Sequence, residues 1–346
     1  MKKILQDYTK EELKTELEVL GLQKFRIEQI SKWCYEYANI NDMSNLPASL
    51  REQLKVEYTS NPITLEKEFI SKDGTRKFLL RLQDGNLIEC VLMQYKYGNT
   101  ICVSTQVGCR MGCSFCASGI DGLERNLSAG EILAEVLLVN KHMGGNLSDR
   151  QITNIVLMGS GEPLDNYDNV VKFIKLVSSP DGINISQRNI SLSTCGIAPK
   201  IKKLADEDLS ITLTISLHSS NDEHRKQIMK IANAYSLEEL MEAIRYYYNK
   251  TKRRVVFEYI MLKENTKYAD ALRLKHLLSG MSVHLNLIPV NDTANNTKGI
   301  SKEMQTKFWE HLKKVGITAT TRRTLGSDIE GACGQLRRRY NEGEIK

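Results

Sequence analysis

The sequence of 346 residues lacks any uninterrupted apolar run of the roughly 18 to 20 residues that a membrane-spanning helix needs. Its first eight residues carry two lysines but no following apolar segment of the kind found in secretory signal peptides. Short sequence repeats and low-complexity linkers are absent as well. Hydrophobic residues make up 41% and charged residues 26%, which excludes a disordered or collagen-like chain. We therefore predict a globular, cytosolic protein of about two domains, without a membrane partner.

Cysteine is too scarce for a disulfide scaffold, with eight residues in the whole chain. The distribution is uneven, because four of them, Cys102, Cys109, Cys113 and Cys116, fall within a short stretch while the others lie far apart. Crowded cysteines in a reducing compartment favour metal binding or catalysis over a structural role.

The net charge is small, since 48 lysines and arginines against 42 acidic residues give 48 − 42 = +6. Local basic runs occur at residues 252–254, 322–323 and 337–339. Such a run is usually a solvated surface, but several of them together permit a polyanionic partner.

The pattern of apolar residues divides the chain into four segments. Residues 1–65 have helical periodicity, and residues 66–99 read as a β-hairpin extension. Strands and helices alternate over residues 100–325, and residues 326–346 form a small-residue loop and tail that contains Cys333. After a strand at 100–106, further strands are predicted at 152–158, 190–193, 211–217, 255–261, 283–289 and 317–320, with helices at 129–142, 167–177, 198–205, 237–248, 268–278 and 302–315. This alternation predicts an α/β fold with parallel strands, arranged as a full or partial barrel.

The most specific motif is a loop that contains Cys109, Cys113 and Cys116 directly after the strand at 100–106. Three thiolates on one short loop can bind three irons of a four-iron, four-sulfur cluster and leave the fourth iron open to a substrate. Gly108 and Gly112 allow the loop to fold tightly. The alternative is a structural zinc site with Cys102 or a distant histidine as fourth ligand, although such sites usually use two cysteine pairs.

This triplet, with Phe115 before its last cysteine, resembles the signature of the radical S-adenosylmethionine (SAM) superfamily. The resemblance implies a partial (β/α)6 barrel whose first loop binds a [4Fe-4S] cluster. It also implies that the open iron chelates SAM, and that an electron from the cluster cleaves SAM to a 5′-deoxyadenosyl radical.

Short segments that contain polar residues follow the predicted strands at the edge where barrel enzymes place their active sites. They are Gly161 and Glu162, then Ser193, then Ser216, Leu217 and His218, and finally Asn291. Taken singly, the glycine turn is compatible with a plain strand-to-helix connection, and His218 with a structural histidine. Together, on one edge and next to the cysteine loop, they predict a SAM-binding pocket.

Two cysteines outside the triplet, Cys102 and Cys333, have no predicted role in binding the cluster. Each is compatible with a small buried hydrophobic residue, and Glu89 on the preceding strand is unremarkable by itself. A thiolate is also a strong nucleophile, however, and two thiols can form a disulfide that resolves a covalent intermediate.

Segments spread over most of the chain resemble the RlmN/Cfr family of radical SAM RNA methyltransferases. They are residues 25–33, 88–89, 102–106, 109–116, 125–127, 158–165, 192–194, 216–218, 257–259, 286–289 and 332–336. The resemblance implies catalytic roles for Cys333 and Cys102 and an accessory RNA-binding role for residues 1–65.

The mechanism that this resemblance implies uses two SAM molecules in each turnover. The first methylates Cys333, and the radical from the second abstracts a hydrogen from that methyl group. The carbon radical adds to an adenine carbon, a base matching Glu89 or Cys102 removes the ring proton, and Cys102 attacks Cys333 to release methylated RNA.

The implied substrates are an adenosine of 23S ribosomal RNA in the peptidyl transferase centre and a tRNA adenosine beside the anticodon, with an electron donor such as flavodoxin or ferredoxin. Residues 161–167, with Pro163, resemble the RlmN form that methylates C2, whereas Cfr methylates C8 and confers antibiotic resistance. Two other classes stay open: a radical SAM enzyme with another reaction, such as a glycyl-radical activase, and a zinc-stabilised RNA-binding protein without catalysis.

Overall fold

A computed structural model describes residues 1–290 and 299–336. The N-terminal part has a small hydrophobic core of its own, which includes Leu13, Leu17, Ile30 and Leu54. Its elements are β1 (Lys3–Ile4), α1 (Lys10–Glu18), α2 (Lys24–Tyr35), α3 (Ala48–Glu57) and β2 (Tyr58–Thr59), with β1 and β2 paired in parallel. Helix α1 begins at a capping box, in which Thr9 accepts a hydrogen bond from the Glu12 amide and the Glu12 carboxylate accepts one from the Thr9 amide.

An antiparallel extension follows, formed by β3 (Ile63–Ile70), β4 (Arg76–Leu82) and β5 (Leu87–Tyr95). Strand β5 also pairs antiparallel with β6 (Gly98–Val103), the first barrel strand. The sequence pattern did not predict β3 as a strand. Its charged residues at 66–68 and a register shift between Leu65 and Lys67 break the apolar alternation, as is common in an edge strand.

The chain leaves the sheet after Val103, three residues earlier than predicted. The Ser104 amide donates to the Glu135 carboxylate (3.1 Å), and the Thr105 amide donates to the Ser160 carbonyl (2.8 Å), so neither continues the sheet. The next residues form β7 (Gln106–Gly108), which pairs antiparallel with β8 (Leu123–Asn126). This two-stranded ribbon flanks the loop that carries the three clustered cysteines.

The rest of the described chain alternates between strands and helices, as predicted. The elements are α4 (Ala129–His142), β9 (Ile152–Leu157), α5 (Tyr167–Val177), β10 (Ile190–Thr194), α6 (Ala198–Leu204), β11 (Thr212–Ser216), α7 (Asp222–Ile228), α8 (Leu237–Thr251), β12 (Val255–Ile260), α9 (Tyr268–Leu278), β13 (Val283–Ile288), α10 (Lys302–Lys314) and β14 (Ala319–Thr321). Helix α7 was not predicted, because it is short and polar; the Asn221 side chain caps it by accepting a hydrogen bond from the His224 amide.

The parallel strands lie side by side in chain order, from β6 and β9 through β10 to β14. This uninterrupted order is that of a barrel, since a doubly wound sheet reverses direction at a switch point. Within the described ranges, β6 and β14 do not pair with each other, so the barrel is open. The predicted α/β fold, a partial barrel with a helical N-terminal domain and a β extension, is confirmed.

The large core lies between the parallel strands and the surrounding helices, and Ile155, Leu213, Phe257, Ile132 and Phe173 belong to it. Because the strands are parallel, their carboxyl ends meet at one edge, where the loops after β6, β9, β10 and β11 come together. No described helix is both long enough and apolar enough to cross a bilayer.

Candidate active site

The three clustered cysteines line a single cavity at the carboxyl edge of the barrel. We call it the cluster cavity; its lining includes Cys109, Cys113, Cys116, Phe115, Gly161, Glu162, Ser193, Ser216, His218, Glu258 and Cys333. The loop needs a glycine just before its first cysteine, since Gly108 has a φ of +77° and a Cβ there would lie 2.0 Å from the Gly122 carbonyl oxygen. That carbonyl instead accepts a hydrogen bond from the Cys109 amide (2.9 Å).

The donor set of this loop fits a four-iron cluster. Three thiols share one cavity, and burial raises the pKa of Cys109 to about 12 and also raises that of Cys113, so binding must displace protons. Within residues 1–290 and 299–336, no three side chains of the metal-binding types surround a single-ion site. A four-iron cluster does not require one, because each thiolate binds a different iron.

Glu162, predicted to bind SAM, lies at the base of the cluster cavity and is only 4% exposed. Its carboxylate accepts hydrogen bonds from the Cys195 amide (2.7 Å) and the Leu164 amide (3.0 Å). Burial raises its pKa, which these hydrogen bonds oppose. Gly161 precedes it with a φ of +108°, and a Cβ there would lie 2.7 Å from the Gln106 side chain. The turn therefore needs a glycine because it packs directly against the segment that leads into the cluster loop.

The other predicted SAM residues divide between the cavity and the core. Ser193 and Ser216 line the cluster cavity with their hydroxyl oxygens 3.5 Å apart, and His218 lines it with its ring edge-on to Phe115. Burial lowers the pKa of His218 to about 3, so the ring is neutral, and its Nδ1 accepts a hydrogen bond from the Ile260 amide (3.1 Å). Leu217, in contrast, is fully buried in the core and does not line the cavity. Asn291 lies outside the described residues.

A second cavity adjoins the first, and we call it the thiol cavity because Cys102 and Cys333 both line it. Its other walls include Val91, Met93, Tyr95, Val156, Arg322 and Arg323. Residues that line both cavities form the boundary between them; they are Cys116, Met158, Gly159, Ile288, Pro289, Cys333 and Gly334. Cys333 therefore faces the cluster loop on one side and Cys102 on the other.

An ion pair that the sequence motifs did not reveal also links the two cavities. Arg322 lines the thiol cavity and donates to the carboxylate of Glu258 (2.8 Å), which lines the cluster cavity and lies 3.4 Å from the Ser193 hydroxyl. Burial raises the pKa of Cys102, and the Arg322 guanidinium opposes this shift, whereas Cys333 is exposed. The sequence analysis gave Glu258 no role; a charged residue within the apolar strand β12 was the signal that could have found it.

Glu89, the alternative general base, lines neither cavity. It is buried, and its carboxylate pairs with the Lys77 ammonium on the neighbouring strand (2.9 Å). Within the described part of the chain, neither residue belongs to the lining of the two cavities. Cys102 is thus better placed than Glu89 to act on a substrate bound beside Cys333.

The loop that carries Cys333 is fixed on two sides. Asp328 accepts hydrogen bonds from the Ser71 hydroxyl (2.5 Å) and the Lys72 amide (3.2 Å) in the turn between β3 and β4. On the other side, the Ala117 amide donates to the Gly334 carbonyl (2.7 Å), directly after the last cluster cysteine. These contacts place Cys333 between the extension and the cluster loop.

Replacing Asp328 with alanine should release one side of this loop. Because Asp328 is exposed and solvent weakens its contacts, we expect methylation of Cys333 by SAM to slow only modestly, by roughly 2- to 5-fold. The global unfolding temperature should change little, because Asp328 is exposed. A D168N control removes an exposed carboxylate that pairs with Lys203 elsewhere. Equal methylation rates in the two variants would contradict a positioning role for Asp328.

The basic runs lie at different places relative to the two cavities. Residues 252–254 precede β12 and so lie at the amino ends of the parallel strands, on the side away from the two cavities. Arg322 and Arg323 line the thiol cavity, whereas residues 337–339 lie outside the described residues. Of the described runs, only 322–323 is placed to meet a substrate at the site.

Comparison with known proteins agrees with this geometry. Residues 103–274 match the radical SAM superfamily model, and residues 4–59 match that of the ribosomal RNA large subunit methyltransferase N-terminal domain. The chain is 54% identical to a probable dual-specificity RNA methyltransferase RlmN of Clostridium botulinum strain Eklund 17B, over 98% of this chain and 97% of the relative. It is 53% identical to the protein of the same name from Clostridium novyi, over 98% and 99% of the two chains.

Among solved structures, a radical SAM methyltransferase from Sphaerobacter thermophilus superposes with a TM-score of 0.93 at 40% identity, covering 97% of this chain and all of that one. The superfamily implies a [4Fe-4S] cluster and SAM as cofactors, which favours the cluster over the zinc alternative. The barrel, the cluster loop and the relatives lead to one conclusion: the chain belongs to the RlmN family of radical SAM RNA methyltransferases.

Proposed function

We propose that this protein methylates C2 of an adenosine in 23S ribosomal RNA through a methylated Cys333. The observation that carries the proposal is the position of Cys333 in the wall shared by the cluster cavity and the thiol cavity. A methyl group on its sulfur would be within reach of a radical generated on one side and of an RNA base on the other. The dual-specificity names of the relatives support a tRNA adenosine beside the anticodon as a second substrate.

The chemistry needs a radical, because C2 of adenine is too electron-poor to attack SAM directly. When bound, the cluster would supply one electron that splits the sulfonium of SAM into methionine and the deoxyadenosyl radical, and would take one electron back from the RNA adduct. Cys109, Cys113 and Cys116 would hold it. Glu162, Ser193 and Ser216 would bind the polar groups of SAM, and Asn291 is proposed for the same role from the sequence.

In the proposed reaction Cys333 first displaces S-adenosylhomocysteine from one SAM and becomes S-methylcysteine. Loss of a hydrogen atom from the methyl group to the radical leaves a carbon radical, which forms a bond to the adenine ring. The ring then gives up one electron and the proton at the reacting carbon. RNA and protein are now joined through the former methyl carbon.

Cys102 is proposed to resolve this intermediate. Its thiolate attacks the Cys333 sulfur, the S–S bond forms as the S–C bond breaks, and the released carbon takes a proton to complete the methyl group. External reductant must then open the disulfide. Removal of the ring proton is assigned to Cys102 or Glu89. Cys102 is favoured, because it lines the thiol cavity whereas Glu89 pairs with Lys77.

The mouth of the thiol cavity has groups suited to an unstacked RNA base. Tyr95 lines the cavity and stacks on the exposed Tyr97, with ring centroids 4.9 Å apart, and the exposed Arg323 lines the same cavity. Aromatic faces beside a cation are typical of single-stranded RNA binding. The N-terminal domain has an exposed Phe25 and a groove lined by Lys32 and Trp33, which support an accessory RNA-binding role.

The carbon that receives the methyl group is the finer part of the proposal. The proline in residues 161–167 favours C2, and Cfr-type methylation of C8 is the alternative. Anaerobic incubation with SAM, a flavodoxin or ferredoxin system, and unmodified 23S rRNA or tRNA should yield 2-methyladenosine on nucleoside analysis by mass spectrometry. Formation of 8-methyladenosine instead would contradict methylation at C2 and show that this is a Cfr-type enzyme.

A further inference from the structure

Arg225 is a fully buried arginine directly behind the cluster loop. It lies on helix α7 and has no solvent exposure. The same helix is tied to the loop, because the Ile228 carbonyl accepts a hydrogen bond from the Ser114 amide (3.0 Å), between Cys113 and Cys116. The side chains of Cys113, Ile228 and Met229 pack in one apolar cluster. The environment of Arg225 is therefore dry and close to the iron-binding thiols.

The guanidinium is only partly satisfied in this position. Its Nε donates to the Leu217 carbonyl (3.2 Å) and its Nη2 to the Cys195 carbonyl (2.7 Å), at the ends of β11 and β10. Its Nη1 is buried without a hydrogen-bond partner among the described residues. Both carbonyls are neutral, so these contacts orient the group but do not balance its charge.

No carboxylate within the described ranges forms an ion pair with Arg225. Asp222, on the same helix, instead accepts a hydrogen bond from the Leu237 amide (2.8 Å) and remains partly exposed. A buried unpaired charge is strongly unfavourable, because the interior cannot solvate it as water does. A negative charge that arrives only in the loaded protein would remove this penalty.

The bound cluster is such a charge. Three thiolates around a four-iron core leave one net negative charge, and one-electron reduction makes it two. Arg225 donates to the carbonyl of Cys195, whose side chain packs in the same apolar cluster as that of the iron-binding Cys113. Because neither cavity has Arg225 in its described lining, the guanidinium would act on the cluster through space and not by contact with SAM.

We propose that Arg225 is the buried counter-charge of the cluster, a positioning residue that favours the reduced form and so raises its reduction potential. The same side chain orders the ends of the two strands that carry Ser193 and Ser216. The inference depends on the cluster and not on the proposed RNA reaction. Its test needs no RNA, so its failure and that of the proposed function are distinguishable.

The test is an anaerobic redox titration of reconstituted protein, with the reduced cluster followed by electron paramagnetic resonance. At the potential where half of the wild-type cluster is reduced, we expect the ratio of reduced to oxidised cluster in R225Q to fall at least tenfold. For a one-electron couple, tenfold corresponds to a potential about 59 mV lower. R225Q removes the charge and keeps one donor group, the amide NH2, on a shorter side chain.

Lys230 provides a matched control. It is exposed, and a Cβ on Gly112 of the cluster loop would lie 3.1 Å from its ammonium nitrogen. Solvent screens such a charge, so in K230M the ratio should change less than twofold. A K230M shift as large as that of R225Q would overturn the proposal, because any nearby cation would then have the same effect.

R225K separates charge from geometry, since it keeps the positive charge but cannot hold both carbonyls as the guanidinium fork does. We expect its ratio to stay within twofold of wild type. Full iron content with an unchanged ratio in R225Q would overturn the proposal, and so would equal shifts in R225K and R225Q. If R225Q does not fold or bind iron, the test rests on R225K. A ratio of reduced to oxidised cluster within twofold of wild type then supports the counter-charge, and a larger change overturns it.

Discussion

Replacing Cys333 with alanine is expected to abolish RNA methylation, with a loss on the order of 10³-fold or more, because the variant has no sulfur to carry the methyl group. Iron content and reductive cleavage of SAM should persist, since Cys333 borders the cluster cavity but is not one of the three clustered cysteines. The measurement pairs two assays on one anaerobic sample, methylated nucleoside and deoxyadenosine.

Cys90 supplies the control for this experiment. It is a buried thiol on β5 whose side chain belongs to the core cluster and not to the thiol cavity. C90A should therefore lose stability, through a small void, but keep methylation. Methylation at the wild-type rate by C333A would contradict the S-methylcysteine route, and retained activity toward another substrate would favour the activase alternative.

Replacing Cys102 with alanine is expected to stop the reaction one step later, with RNA covalently attached to Cys333. Cys116 also lines the thiol cavity, but the cluster would hold its thiolate, so it could not break the S–C bond. Multiple turnover should therefore fall on the order of 10³-fold while adduct accumulates to the enzyme concentration. Denaturing electrophoresis with labelled RNA, followed by mass spectrometry of the peptide that contains Cys333, measures the adduct.

The wild-type protein offers a second check on Cys102. Burial raises the pKa of this thiol above its ordinary value, and only the thiolate attacks, so release of RNA should become faster as the pH rises from 7 to 9. The C102A adduct should show no such acceleration. Free methylated RNA from C102A at the wild-type rate would assign resolution to another group.

Much of this molecule could be predicted from its sequence, because the signals are local. Helices α4, α5 and α9 were predicted with the bounds that they have in the structure, since each combines apolar periodicity with clear ends. The cluster loop followed from cysteine spacing alone. The grouping of Glu162, Ser193 and Ser216 at one edge followed from the geometry of parallel strands.

What could not be predicted depends on contacts between distant segments. Glu258 on β12 pairs with Arg322 just after β14, and Glu89 on β5 pairs with Lys77 on β4; neither pair has a spacing that a motif could show. Leu217 was assigned to the pocket because residues 216–218 end a predicted strand, but side chains alternate along a strand end, and this one packs in the core. The burial of Arg225 in a short polar helix has no signature in the sequence.

The central claim is that the methyl group reaches RNA through Cys333 and a radical, and SAM with a fully deuterated methyl group tests it most directly. One deuterium leaves with the deoxyadenosyl radical, and the last hydrogen comes from solvent when Cys102 releases the product. The account predicts 2-methyladenosine that carries two deuterium atoms and deoxyadenosine that carries one. A product with all three deuterium atoms would show direct transfer from SAM and would contradict the account.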